Sequence, residues 1–220
     1  GAEILMSSMQ RQDNRVKRAC IRSLSSYKTK EVKDFLIETM MTADNDYTVN
    51  DAYTTLFEVD STAADSLYDW AMKQDSHRDM IRKSAIRSLR NNNASNYKIL
   101  KALLEYGTSP WSCRSTVVST IGEHTKNHPE LISTFEELLF DPNRDVRTTA
   151  ARLLSRHGDE SHVTKLENLI IRDPITERYV TPMVARLKGE ELTTEPTPSL
   201  KHELLDIRDR IDKLIKTQQD

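Results

Sequence analysis

The sequence predicts an all-α fold: a right-handed α-solenoid (alpha-alpha superhelix) of about six helix pairs, followed by a C-terminal amphipathic helix. Three observations predict it. Leu, Ala, Arg, Lys and Glu fill the periodic stretches, and with five Gly and seven Pro in 220 residues the chain lacks the turn residues that many short strands need. An apolar pattern of helical period recurs every 32 or 33 residues. Turn residues punctuate the pattern between successive stripes.

The repeat is anchored by Leu24, Leu56, Leu89, Ile121, Leu154 and Leu187, spaced 32, 33, 32, 33 and 33 residues apart. Four residues before each anchor stand Cys20, Ala52, Ala85, Val117, Ala150 and Met183, and three before stand Ile21, Tyr53, Ile86, Val118, Ala151 and Val184. Eight before come Val16, Ile81, Cys113, Val146 and Tyr179, while the second unit slips by one to Val49. Together these positions make one stripe of a 3.6-period helix.

A second stripe follows each anchor. It reads Val32, Phe35, Leu36, Met40, then Ala64, Leu67, Trp70, Ala71, then Tyr97, Leu100, Leu103, Leu104. Ile132, Phe135, Leu138, Leu139 and Val163, Leu166, Leu169, Ile170 continue it. Gly122, Gly158 and Gly189 stand just past anchor helices, and Asp141-Pro142-Asn143 and Asp173-Pro174 mark turns between paired helices. Short turns imply antiparallel neighbours. A lone pair cannot bury its apolar face, so stacked pairs share one elongated core over residues 3–189 and leave two long surfaces for partners.

The repeat stops there. Residues 190–198 place Pro196 and Pro198 among Thr and Glu and read as a linker. Residues 199–218 read as a helix capped by Ser199, with Leu200, Leu204, Ile207, Ile211 and Leu214 spaced 4, 3, 4 and 3 as a heptad seam. Two uses fit this seam equally: self-association as a coiled coil, giving a homo-oligomer, or capping of the open end of the solenoid.

The stretch Asp141 to Leu154, followed by Gly158-Asp159, resembles the turn and second helix of a HEAT repeat, with weaker copies at Asp13–Leu24 and Ile81–Leu89. A basic residue recurs one place after the −8 position as Lys17, Arg82, Arg114 and Arg147, and another at −2 as Arg22, Arg87 and Arg152. In HEAT proteins such residues pair with turn carboxylates and stack between units. The resemblance therefore implies a stacking ladder of Lys17, Arg82, Arg114 and Arg147 with Asp13, Asp141 and Asp145 as partners. The longer order of events, including Ser66 to Ser76 and the Trp111 unit, resembles the C-terminal HEAT-like domain of zinc aminopeptidases related to membrane alanyl aminopeptidase. That resemblance implies a non-catalytic portion that shapes or covers a peptide cleft. The alternative is a free-standing HEAT scaffold for protein–protein interaction.

Catalytic signatures are missing from the sequence. There is no His-Glu-x-x-His, no Gly-x-Met-Glu-Asn, no clustered Gly for a phosphate loop and no Gly-x-Ser-x-Gly elbow. His124 and His128 are four apart, but Gly122 to Pro129 reads as a loop that would not aim both rings at one ion. His157 and His162 flank a turn and read as solvent-facing or capping residues, while Cys20 and Cys113 read as small buried groups. No catalytic residue, cofactor or metal is expected of this chain by itself.

A formal charge of −2 and a pI near 6.4 give no global attraction to phosphate or anionic lipid, so protein, peptide or an adjoining catalytic domain is the expected partner and a membrane is not. A HEAT-like DNA glycosylase is a rival reading. Its groove would draw on the ridge Arg78, Arg82, Lys83, Arg87 and Arg90, with Trp70 or Trp111 facing a nucleotide, although both Trp are expected to fill the core or the gaps between units. Composition favours a soluble, cytoplasmic chain. The absence of an initial Met is what a cloning remnant or a fragment of a longer protein would show.

Overall fold

The computed structural model describes residues 1–9, 13–91 and 93–190, and every regular element among them is helical. Among the described residues, thirteen α-helices make six antiparallel pairs. The anchor helices are α2 (Asn14–Ser23), α4 (Asp46–Val59), α7 (Met80–Ser88), α9 (Arg114–Ile121), α11 (Arg144–His157) and α13 (Glu177–Lys188). Their partners are α1 (Ala2–Ser8), α3 (Lys30–Thr42), the broken helix α5 (Ser61–Ser66) with α6 (Tyr68–Lys73), α8 (Ala94–Leu104), α10 (Leu131–Leu138) and α12 (Val163–Arg172). The second apolar stripes had predicted all of the partners except α1. Linker residues 191–198 and the seam residues Leu200, Leu204, Ile207, Ile211 and Leu214 lie outside the described residues.

Local chemistry sets the helix starts. Side chains of Asp13, Thr29, Asn45, Asp60, Asn93 and Asn143 each accept a hydrogen bond from a backbone N–H in the first turn that follows, satisfying donors that have no partner within the helix. Among helix ends, Gly189 closes α13 with φ +68°, a left-handed conformation that costs glycine nothing. Gly158 is required for a different reason: its φ is −87°, but a Cβ there would lie 2.6 Å from the Leu154 carbonyl oxygen.

Successive anchor helices pack directly on one another, α2 on α4, α4 on α7, α7 on α9, α9 on α11 and α11 on α13. Among the described residues, no outer helices of different units pack to a similar extent. The closely spaced anchor helices are therefore the inner layer and the outer helices splay apart. Five of the six anchors are almost wholly buried, and Ala52, Ala85, Ala150 and Ala151 let neighbouring inner helices approach closely. The core has two parts: one from Ile21 to Ala85, the other from Ile86 to Val184, with Tyr68 and Met72 touching both.

Two expected core positions are corrected. Tyr179 is 44% exposed and Val180 takes its place in the core, so the sixth unit slips by one as the second does. Trp111 is 52% exposed and stands edge-on to Tyr106, whereas Trp70 packs half-buried against the first core cluster. No described helix is long and apolar enough to cross a membrane.

Candidate functional site

The inner face of the solenoid carries the candidate site, and its floor comes from two repeat positions. Five residues before the anchors stand Asp51, Ser84, Thr116 and Thr149; one before stand Thr55, Ser88 and Thr120. All seven are buried, in the creases where neighbouring inner helices meet. Small side chains are needed there because the helices are close, and hydroxyls find acceptors locally: Ser88 Oγ donates to Ala85 O at 2.7 Å and Thr120 Oγ1 to Thr116 O at 2.8 Å. Ser84 Oγ crosses to Asn50 Oδ1 at 2.7 Å, and Asp51 accepts from Arg18 at 2.7 Å and Arg22 at 3.2 Å.

Above this floor, three depressions follow one another along the inner face. The central one, about 330 Å³, is lined by Arg87, Arg90, Ser115, Thr116, Ser119, Thr120, Glu123 and Thr149. Toward the N-terminus, Arg87 and Arg90 also border a small recess with Tyr53, Thr54, Phe57 and Glu58. Toward the C-terminus, Arg152, Ser155, Arg156, Tyr179, Pro182, Met183, Arg186, Gly189 and Glu190 line a hollow of about 640 Å³. The rim thus holds five guanidinium groups (Arg87, Arg90, Arg152, Arg156, Arg186) against three carboxylates (Glu58, Glu123, Glu190). Only Arg156 has a carboxylate within 4.0 Å among the described residues, Glu123 at 3.4 Å with both groups exposed. Arg90 lies 5.0 Å over the Phe57 ring.

The predicted ladder residues lie elsewhere, at the turns within the pairs. Arg114 donates through Nε to Asp141 at 2.8 Å in the next unit and through Nη1 to Leu104 O at 2.7 Å. Arg147 reaches Asp173 of the next unit, and its Nη1 donates to Asp141 O at 2.8 Å. Arg82 turns within its own unit, to Asp79 at 2.5 Å and Met72 O at 3.0 Å. Lys17 has no carboxylate within 4.0 Å among the described residues and borders a cleft with Met6, Met9 and Phe35. Of the expected partners, Asp141 receives Arg114, Asp13 caps α2 instead, and Asp145 holds no described ion pair, while Asp173 serves both Arg147 and Arg144. The Arg147 guanidinium beside Asp173 holds its carboxyl below the usual range despite partial desolvation, with Arg144 adding to the effect.

The expected basic ridge is split between these two locations. Arg82 is half-buried at a turn and Arg78 sits at φ 52°, while Arg87 and Arg90 face the inner groove. The histidines do not converge. His124 is fully buried, its Nε2 3.0 Å from Leu89 O, whereas His128 stacks on Tyr97 with ring centroids 3.5 Å apart. His162 is buried in a capping box with Asp159 and lies 3.1 Å from Glu136, while its neighbour across the turn, His157, is solvent-facing. Among the described residues no three His, Cys, Asp or Glu side chains are grouped to hold a metal. Cys20 and Cys113 are both buried and unpaired, and burial pushes the Cys113 thiol up.

Sequence reasoning missed the hydroxyl floor and, of the arginine rim, Arg156 and Arg186; it named Arg87, Arg90 and Arg152 without placing them in one groove. The signal was available in the same repeat register, at −5 and −1, but small polar residues are not conspicuous in a search for apolar stripes.

Comparison with known proteins agrees with this architecture. The family described as HEAT repeats matches residues 96–180, from α8 into α13. A solved chain from the complex of CpcE and CpcF of phycocyanin lyase from Nostoc sp. PCC7120 superposes with a TM-score of 0.52 at 12% identity, covering 86% of this chain and 94% of that one. At that identity the likeness is one of fold. No curated protein matches the chain.

Proposed function

We propose that this HEAT-like repeat protein is a non-catalytic scaffold that binds another protein along the inner face of its anchor helices. The observation that carries the reading is the groove itself: a hydroxyl floor and an arginine rim that run from α4 to α13 without a nucleophile, base and orienting acid gathered at any point. A side-chain arrangement of this kind recognises surfaces; it does not activate a reacting atom. The chain it resembles in fold comes from a complex of two proteins, which supports a protein partner.

The zinc aminopeptidase reading draws no support from the matched family or from that solved chain, and the scaffold reading accounts for both. A photo-crosslinking residue at Ser119, in the groove, tests the scaffold reading against one at Lys98, exposed on outer helix α8. In extract of the native cells, Ser119 is expected to give a discrete protein adduct and Lys98 none. Adducts from Lys98 alone, or from neither position, overturn it.

A further inference from the structure

We propose that the inner groove receives an extended acidic segment of the partner, an inference that rests on the scaffold reading and adds the chemistry of what is bound. Arginine excess on the rim supplies the charge complementarity. Arg87 and Arg152 occupy the same repeat position two units apart, with Ser119 between them, and both are exposed without a carboxylate partner among the described residues. A guanidinium held on a rigid helix presents a fork that matches a carboxylate in two parallel hydrogen bonds. Between the arginines, Ser119 is exposed in the groove, and its hydroxyl can accept from and donate to a peptide backbone.

The dimensions fit as well. Five inner helices at roughly 10 Å spacing span about 40 Å, the reach of about twelve extended residues. Nucleic acid fits less well. No aromatic ring lines the central stretch for a base to stack on.

The test uses the whole chain and a fluorescent peptide of about twelve glutamates, the length fixed by the span above. Anisotropy is expected to rise saturably and to weaken with added salt, because the rim charges are exposed. Arg87→Glu and Arg152→Glu are each expected to weaken binding by about tenfold or more with helicity unchanged, while Lys98→Glu on the outer helix stays within about twofold. The proposal is overturned by absent saturable binding, by equal loss in Lys98→Glu, or by a single-stranded oligonucleotide of similar length that binds more tightly through the same two arginines. If Ser119 crosslinks a partner while the acidic peptide fails to bind, the acidic assignment falls and the scaffold stands. If both experiments fail, both readings fall.

Discussion

Arg114 on α9 and Asp141 at the turn before α11 form the most buried ion pair among the described residues, Nε to Oδ2 at 2.8 Å with side chains 9% and 2% exposed. The pair joins two repeat units. Asp141 also accepts from the Asn143 backbone N–H at 2.8 Å, so one carboxylate fixes both the turn and the contact across units. Removing it strands a guanidinium in a dry site. Asp141→Ala is expected to destabilise the chain by about 3 kcal/mol in urea unfolding, and Arg114→Met combined with Asp141→Ala by less than the sum of the two singles. Additive losses would show that the two side chains act independently.

The two glycine positions separate space from backbone strain. Gly158→Ala forces a Cβ against the Leu154 carbonyl oxygen and should cost about 1–3 kcal/mol. Gly107 has φ +84° and open space around it, so Gly107→Ala should cost only the left-handed penalty of about 1–2 kcal/mol. Thermal melting of both variants ranks them.

At alkaline pH, buried Tyr53 and half-buried Tyr68 are expected to contribute to stability. Burial pushes the Tyr68 phenol up to about 12, and desolvation raises Tyr53 as well. An unfolded phenol ionises near 10, so the unfolded state loses its proton first. The stabilisation is complete below about pH 10 and declines as pH rises toward about 12. Absorbance titration of phenolate should show Tyr53 and Tyr68 among the tyrosines ionising late in the native protein, with Tyr97 also raised by desolvation and by Glu130 beside it, and Tyr68→Phe should remove one late ionisation.

At acid pH the sign reverses. Asp173 is held below its ordinary value, chiefly by its hydrogen bond from Arg147, so its contribution is present above the unfolded value near 3.9 and is lost as pH falls through the lower folded value. Asp173→Asn should be less stable than the parent at neutral pH, and the difference should shrink below about pH 4. A constant difference across that range would remove the ion pair from the acid limb.

Purified chain is expected to hydrolyse no aminoacyl amide and to carry no stoichiometric zinc by elemental analysis. Zinc at about one per chain, surviving dialysis against a chelator, would place a tight metal site in residues that the present geometry leaves ungrouped.

The anchors and outer stripes were legible because burial on a helix imposes a 3.6-residue period that apolar residues alone report. Tyr179 and Val180 show where that report blurs: both are apolar and adjacent, and only packing against α11 and α12 decides which one turns inward. Ladder partners were harder. Asp13 and Asp145 are aspartates like Asp141 and Asp173, but which carboxylate meets an arginine depends on how far one unit rotates on the next, which no single-unit pattern encodes. The inner groove escaped for a related reason. Thr116 and Thr149 are ordinary helix residues one at a time, and they become a floor only when α9 and α11 are side by side.

One helix serves two bodies. Ile81 and Ala85 of α7 belong to the first core cluster, while Ile86 of the same helix and Leu89 just past its end belong to the second. Cooperativity in a stacked array passes only through shared apolar contact, and here that contact narrows to α7 itself with Tyr68 and Met72. The molecule is two apolar bodies on a common rib, and a rotation of one on the other would have to pass through α7, leaving Arg87 and Arg152 on the same side of that seam.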